Sequence, residues 1–181
     1  DVELWSPAPV HVQDVCVQTQ LDAAGGGAHL HVTAAVANQS AAHCPAVHVA
    51  ARLFDAQGAE VAAPCSTSLD LPAQGAGTAA WTLALPDARL WSAEDPYLYT
   101  LVIETRAGAG SAPAEYVRQR VGVREVTIRD AQLCVNGRPI TVAGVNRHEH
   151  DPVTGHTVGE ASMRADILLM KQFNINAVRT S

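Results

Sequence analysis

His29-Leu30-His31-Val32-Thr33-Ala34-Ala35-Val36 decides the fold of most of this chain. Leu30, Val32, Ala34 and Val36 fall on one side of an extended backbone, and His29, His31 and Thr33 on the other. Side chains alternate along a strand with a period of two, so this is a strand with one face on a core and one toward water. Working outward, Val47, Val49, Ala51 and Leu53 repeat the pattern, as do Trp81, Leu83 and Leu85. Tyr99, Leu101 and Ile103 alternate with Thr100, Val102 and Glu104. Val117, Val121 and Val123 close the series, with Arg118 and Arg120 pointing away. Turn clusters separate the runs: Ala24-Gly25-Gly26-Gly27, Asp55-Ala56-Gln57-Gly58, Ala73-Gln74-Gly75-Ala76-Gly77 and Gly108-Ala109-Gly110. Short alternating strands with turn signals between them, and no competing helical period, predict an immunoglobulin-like β-sandwich over residues 10–125. The cysteine and tryptophan arrangement of antibody domains is not evident, so the expectation concerns architecture alone.

Composition bounds the rest. The 181 residues are 48% hydrophobic and 17% charged, a globular profile that a disordered chain would not show. Net charge is −6 with 12 Lys plus Arg, which leaves no basic stripe of the kind that binds nucleic acid. No apolar run approaches the roughly 18–20 residues that cross a bilayer. Neither nucleic acid nor membrane is therefore an expected partner. The four cysteines, Cys16, Cys44, Cys65 and Cys134, lack paired spacing and read as free thiols behaving as small hydrophobes. Asn38-Gln39-Ser40 is formally a glycosylation sequon, a tripeptide that chance often produces. Asp1-Val2-Glu3-Leu4-Trp5 reads as the end of a strand, with no initiator Met and no leader pattern. Ser6-Pro7-Ala8-Pro9 then forms a stiff connector. Asn176-Ala177-Val178-Arg179-Thr180-Ser181 breaks off inside a strand pattern, so both ends read as cuts.

Beyond residue 125 the pattern changes. Leu133-Cys134-Val135, Asn136-Gly137, Arg138-Pro139 and Ile140-Thr141-Val142 predict two strands joined by a tight Asn-Gly turn. Residues 140–145 are nearly all apolar or small, as in a strand buried on both faces. A loop rich in His and Asp follows. Met163, Ile167 and Met170, widened by Leu169 and Phe173, mark a helix over residues 160–173, and residues 175–178 a second short strand. Strand, loop, helix, strand opens a parallel α/β unit that cannot close a core alone.

These segments carry a resemblance. In order they are Val121-Gly122-Val123-Arg124-Glu125-Val126, Leu133-Cys134-Val135-Asn136-Gly137-Arg138-Pro139, and Gly144-Val145-Asn146-Arg147-His148-Glu149-His150-Asp151-Pro152. Asp166-Ile167-Leu168-Leu169-Met170-Lys171-Gln172 and the closing Asn176-to-Ser181 block complete the set. In this order and spacing they resemble the sandwich-to-barrel junction of family 2 glycoside hydrolases, above all the large bacterial β-galactosidases. Upstream, Leu90-Trp91-Ser92-Ala93-Glu94-Asp95-Pro96-Tyr97-Leu98-Tyr99 is similar to the family's strand entry in the sandwich. The likeness is dense over residues 90–181 and thin before them.

The resemblance implies a mainly β chain: an immunoglobulin-like β-sandwich followed by the first β/α units of a truncated TIM (β/α)8 barrel. Residues 1–9 would be the tail of a preceding β-domain plus linker, 10–125 the sandwich, and 126–181 the incomplete start of the catalytic barrel. Barrel sites are built at the carboxyl ends of the strands. His148 would follow the first strand and Arg179 would end the second. The resemblance gives the residue matching His148 sugar contacts and transition-state stabilisation. It gives the residue matching Arg179 the ordering of the polar network around the catalytic carboxylates. An imidazole that donates and accepts suits a vicinal diol, and a guanidinium holds carboxylates ionised in fixed geometry.

Plainer readings stand beside these. Without its flanks His148 would be a solvated loop histidine, and Arg179 an ion-pair partner. Glu149 reads as a hydrogen-bonding residue. A metal cluster of His148, Glu149, His150, Asp151 and His156 lacks the spacing of known motifs. His11, His29, His31, His43 and His48 read as surface residues on polar strand faces, and Trp81 and Trp91 as core or domain-border packing. The resemblance further implies a retaining mechanism through two carboxylates about 5 Å apart. No residue of this chain matches those glutamates or the usual ligands of Mg²⁺, with Na⁺ as a second candidate ion. The expected whole is a β-galactosidase acting on β-galactosides, cytoplasmic, compatible with a homo-oligomer, and completed by the remainder of its own polypeptide. The 181 residues alone would be inactive. A β-glucuronidase or β-mannosidase of the same family, or a non-catalytic β-sandwich module, are the rival readings; the strand and helix after residue 139 speak against the last.

Overall fold

A computed structural model describes residues 4–22, 26–107 and 115–180. The chain divides into two compact units, Asp1–Val126 and Thr127–Ser181.

The first unit is a sandwich of two antiparallel sheets. β1 (Val10–Leu21), β2 (Ala28–Asn38) and β5 (Gly75–Leu85) form a three-stranded sheet in the order β1-β2-β5. β3 (Cys44–Phe54), β4 (Cys65–Leu71), β6 (Tyr99–Ala107) and β7 (Glu115–Val121) form a four-stranded one in the order β4-β3-β6-β7. The core is what the alternation requires. Leu30, Val32, Ala34 and Val36 meet Val47, Val49, Ala51, Leu53, Leu83, Leu101 and Ile103, every one of them buried. Trp81 is half-buried; its indole N–H donates to Thr67 Oγ1 at 3.0 Å, joining β5 to β4. β1 and β4 carry weaker sequence signals because their inner faces mix Val and Leu with half-buried Thr and Cys.

Asn38 closes one end of this unit. Its side-chain amide donates to Ala42 O (2.8 Å), Pro72 O (2.9 Å) and Leu71 O (3.4 Å). Its carbonyl accepts from the Ser40 amide (3.0 Å) and hydroxyl (2.7 Å), and the residue is fully buried. The Asn38-Gln39-Ser40 tripeptide is thus a loop-closing device, and its nitrogen is committed to carbonyls.

Several expectations need correction. His11 is not a surface residue: it is buried, donates through Nδ1 to Ala8 O at 3.0 Å, and meets the Trp5 ring edge-on. The register of β1 against β2 shifts between Val12 and Asp14, a bulge that breaks the alternation and lets Val10, His11 and Val12 all be buried. His48 is half-buried, its Nδ1 lacking a hydrogen-bond partner among the described residues. The Ala73-to-Gly77 cluster is a turn only at Ala73 and Gln74, because Gly75 and Gly77 already pair with Asn38 and Val36. A Cβ on Gly77 would stand 2.7 Å from Leu71 Cδ2, so this glycine serves close packing rather than turning. Leu4 and Trp5 lie outside any strand; residues 1–3 of that expected strand end, and the turn signals at Ala24, Gly25 and Gly108-Ala109-Gly110, lie outside the described residues. All four cysteines are free, yet only Cys134 is buried and Cys16 is exposed.

The second unit starts within β8 (Val126–Arg129), which joins β9 (Gln132–Val135) and β10 (Arg138–Pro139) in a small sheet. Asn136 and Gly137 take φ of 51° and 73°, as a two-residue hairpin turn demands. After an irregular stretch come β11 (Gly144–Arg147), α1 (Glu160–Gln172) and β12 (Ala177–Thr180), with β11 and β12 paired in parallel. The strand expected over residues 140–145 therefore begins at Gly144, and the one expected over 175–178 begins at Ala177. Ile140 and Val142 are exposed, not buried on both faces. A residue far along the chain takes the place of a strand partner there. Asn176 occupies the backbone of that stretch, accepting from the Ala143 amide (2.8 Å) and donating to Thr141 O (2.8 Å).

α1 has no buried residue, and Met163, Ile167, Leu169 and Phe173 of its apolar stripe are exposed. Elements with few buried contacts open at little free-energy cost. Limited trypsin digestion of the 181-residue chain is expected to cut first in Thr127–Ser181, at Arg164 or Lys171 of α1. Mass spectrometry of the early products checks this, and first cuts at Arg52 of β3 or Arg106 of β6 would contradict it.

Candidate active-site edge at the strand ends

The geometry begins with the parallel pair. Gly144 faces Ala177, Val145 faces Val178, Asn146 faces Arg179 and Arg147 faces Thr180. A Cβ on Gly144 would lie 3.3 Å from that of Ala177, so a small residue lets the two strands approach. Register partners in a parallel sheet share a face. Asn146 and Arg179 consequently stand side by side, lining a groove of about 300 Å³ with Gly144 and Ala177 among its walls.

Arg147 takes the other face. Its Nε donates to Asp166 Oδ2 on α1 at 2.8 Å, and its Nη1 reaches Glu149 Oε1 at 2.7 Å. The side chain is only 11% exposed, against 39% for Glu149 and 43% for Asp166. Hydrogen bonds donated to the Glu149 carboxylate and then to the Asp166 carboxylate hold the pKa of the guanidinium above its ordinary value. The helix side of the sheet is thereby fixed, and the alternation sends Asn146 to the opposite side.

His148 is the first residue past β11 and is exposed. Arg179 lies one residue before the end of β12 and is exposed as well. Both sit at the carboxyl ends of parallel strands. The structure does not join them: neither side chain has a hydrogen-bond or ion-pair partner among the described residues.

The loop that follows is internally built. The Asp151 carboxylate accepts from the Val153 (2.8 Å) and Thr154 (2.9 Å) amides, and these bonds, Thr154 first, hold its pKa below the ordinary value. Asp151 and Gly155 exchange backbone bonds of 2.7 and 2.9 Å. His156 donates through Nδ1 to Glu149 O at 3.2 Å and meets the His150 ring edge-on at 5.2 Å. Glu149 is spent on Arg147 and Asp151 on its own turn. Among the described residues no group of three or more His, Cys, Asp or Glu gathers as a metal site.

Sequence reasoning singled out His148 and Arg179 but passed over Arg147, Asp166, Asn146 and Asn176. The available signal was weak. Arg147 and Asp166 are opposite charges 19 positions apart, a separation that means nothing until a strand and the returning helix are packed together.

Comparison with known proteins adds the following. The chain matches the family model described as Glycosyl hydrolases family 2 over residues 10–124, and that family's TIM barrel domain over residues 126–181. It is 41% identical over 188 residues to a β-galactosidase of Vibrio cholerae, covering 100% of this chain and 18% of the relative. It is 34% identical over 186 residues to the β-galactosidase of Pseudoalteromonas haloplanktis, covering 100% of this chain and 17% of the relative. The chain thus spans 17–18% of the length of these curated relatives. Among solved structures it is similar to the β-glucuronidase of Ruminococcus gnavus, with a TM-score of 0.75, 27% identity, and coverage of 95% of this chain and 26% of that one.

Proposed function

The chain belongs to glycosyl hydrolase family 2, and from that premise we propose that it is part of a retaining β-galactosidase that releases terminal β-D-galactose from β-D-galactosides. The observation carrying the choice of sugar is the 34–41% identity to β-galactosidases along the whole chain. A second reading, a β-glucuronidase, has the backbone likeness to the R. gnavus enzyme in its favour. Shared architecture weighs less, since one fold hosts many specificities.

In this reading the two carboxylates about 5 Å apart that form and hydrolyse the glycosyl-enzyme belong to the rest of the polypeptide. This chain contributes His148 and Arg179. His148 bonds vicinal hydroxyls of the sugar and strengthens those bonds as the transition state forms. Arg179 orients the carboxylate network. Their exposure at the carboxyl ends of β11 and β12, with Arg147 drawn to the helix side, supports the assignment. In this reading Mg²⁺ and Na⁺, where the whole enzyme uses them, take their ligands from the rest of the polypeptide. Four free cysteines suit a reducing compartment and support a cytoplasmic enzyme. No described helix is long and apolar enough to cross a membrane.

The test is a substrate panel on the intact polypeptide, comparing nitrophenyl β-D-galactoside, β-D-glucuronide and β-D-mannoside. The galactoside is expected to lead in kcat/KM by at least about 10²-fold, because a site built to bond particular hydroxyls leaves buried groups unpaired with the wrong sugar. A lead for the glucuronide would establish the second reading instead.

A further inference from the structure

We propose that Arg147 is the positioning residue that aims His148 into the sugar site. The inference rests on the role given to His148 above. What carries it is the way one guanidinium ties down both chain neighbours of that histidine. Arg147, immediately before His148, is held by Asp166 in the middle of α1. Glu149, immediately after His148, turns its carboxylate back onto the same guanidinium.

Residues 147 and 149 are therefore locked on the helix side of the sheet. Alternation sends His148, between them, toward the face of Asn146 and Arg179, just past the end of the groove those two line. Two further bonds set the backbone: the His150 amide donates to His148 O at 2.8 Å, and His156 holds Glu149 O. The His148 side chain itself has no partner among the described residues, so its direction comes from its neighbours' bonds. A guanidinium is the group for this task. It presents several donors in a rigid plane and serves two carboxylates from different elements at once, where an ammonium acts as a single point charge.

The experiment is a double-mutant cycle in the intact polypeptide: Arg147→Lys, His148→Ala and the pair, each assayed for kcat and KM on nitrophenyl β-D-galactoside. Arg147→Lys keeps the charge but loses the fork. It is expected to lower kcat by about ten- to a hundredfold, the cost of misplacing a group by about an ångström, with KM moving far less. In the His148→Ala background the same change is expected to cost less than about twofold, because a residue that acts through His148 has nothing left to aim. A merely structural ion pair would cost the same factor in both backgrounds, and that result overturns the inference. So does an unchanged kcat for Arg147→Lys when His148→Ala lowers it. If His148→Ala has no effect, the role of His148 fails first and the inference falls with it, a pattern distinct from the other two. Should Arg147→Lys not fold, Asp166→Asn gives the same test from the helix side. It leaves the Glu149 contact in place and is expected to show the same background-dependent loss, with equal losses again overturning the inference.

Discussion

Replacing His148 by alanine in the intact polypeptide is expected to lower turnover of nitrophenyl β-D-galactoside by about 10²–10³-fold, the usual cost of one donor aimed at a transition state. The physical case has three parts. His148 stands at the carboxyl end of a parallel strand, where barrel sites are assembled. Its ring is exposed and has no partner among the described residues, so its donor and acceptor are available to a diol. Its truncation leaves β11 and α1 untouched, because Arg147 and Asp166 join them without it. The loss should therefore appear in kcat, with circular dichroism and the thermal midpoint unchanged. Wild-type kinetics in this variant would remove His148 from the site.

Asn38→Ala should produce a large loss of stability in the first unit. It deletes five side-chain hydrogen bonds at a closed end of the sandwich, taking the acceptor from the Ser40 amide and a donor from Leu71 O, while Ala42 O keeps the Ser40 hydroxyl and Pro72 O the Gly75 amide. Buried groups left unpaired cost far more than an average hydrogen bond contributes, and the expected destabilisation is about 3–4 kcal/mol. With a urea slope of about 1.5 kcal/mol per molar, the midpoint falls by about 2 M. Tryptophan fluorescence reads this unit specifically, since Trp5, Trp81 and Trp91 all belong to it. A shift below about 0.5 M would mean that water replaces those bonds cheaply.

Legibility in the sequence followed the range of the forces involved. The β2, β3 and β6 core positions could be read because alternation is a property of one strand, whatever packs on it. The Asn136-Gly137 turn could be read because φ > 0 is a local demand. His11 could not. Its burial comes from a bulge opposite β2 and from Trp5 and Ala8 reaching back, none of which has a local signature. The apolar run at residues 140–145 misled for a related reason. Apolar composition records the environment a segment suits, whereas Asn176 and the β11–β12 register decide where pairing begins.

The candidate site divides along the same line. The residue types at 148 and 179, and their order behind two strand patterns, were legible because collinear motifs survive as text. Which way they face was not. A residue's side of the sheet follows the β11–β12 pairing, and which side is covered by the helix shows in Arg147 meeting Asp166 on α1, 19 positions away. By itself the sequence determined the cleanly alternating strands β2, β3 and β6, where the tight hairpin turn falls, and which side chains are chemically equipped for a sugar. Only the tertiary structure decided which histidine is buried, which asparagine closes a loop, and which arginine anchors while another stays open. Those outcomes are set by hydrogen bonds and ion pairs between residues far apart in the chain, whose partners exist only once the elements have packed.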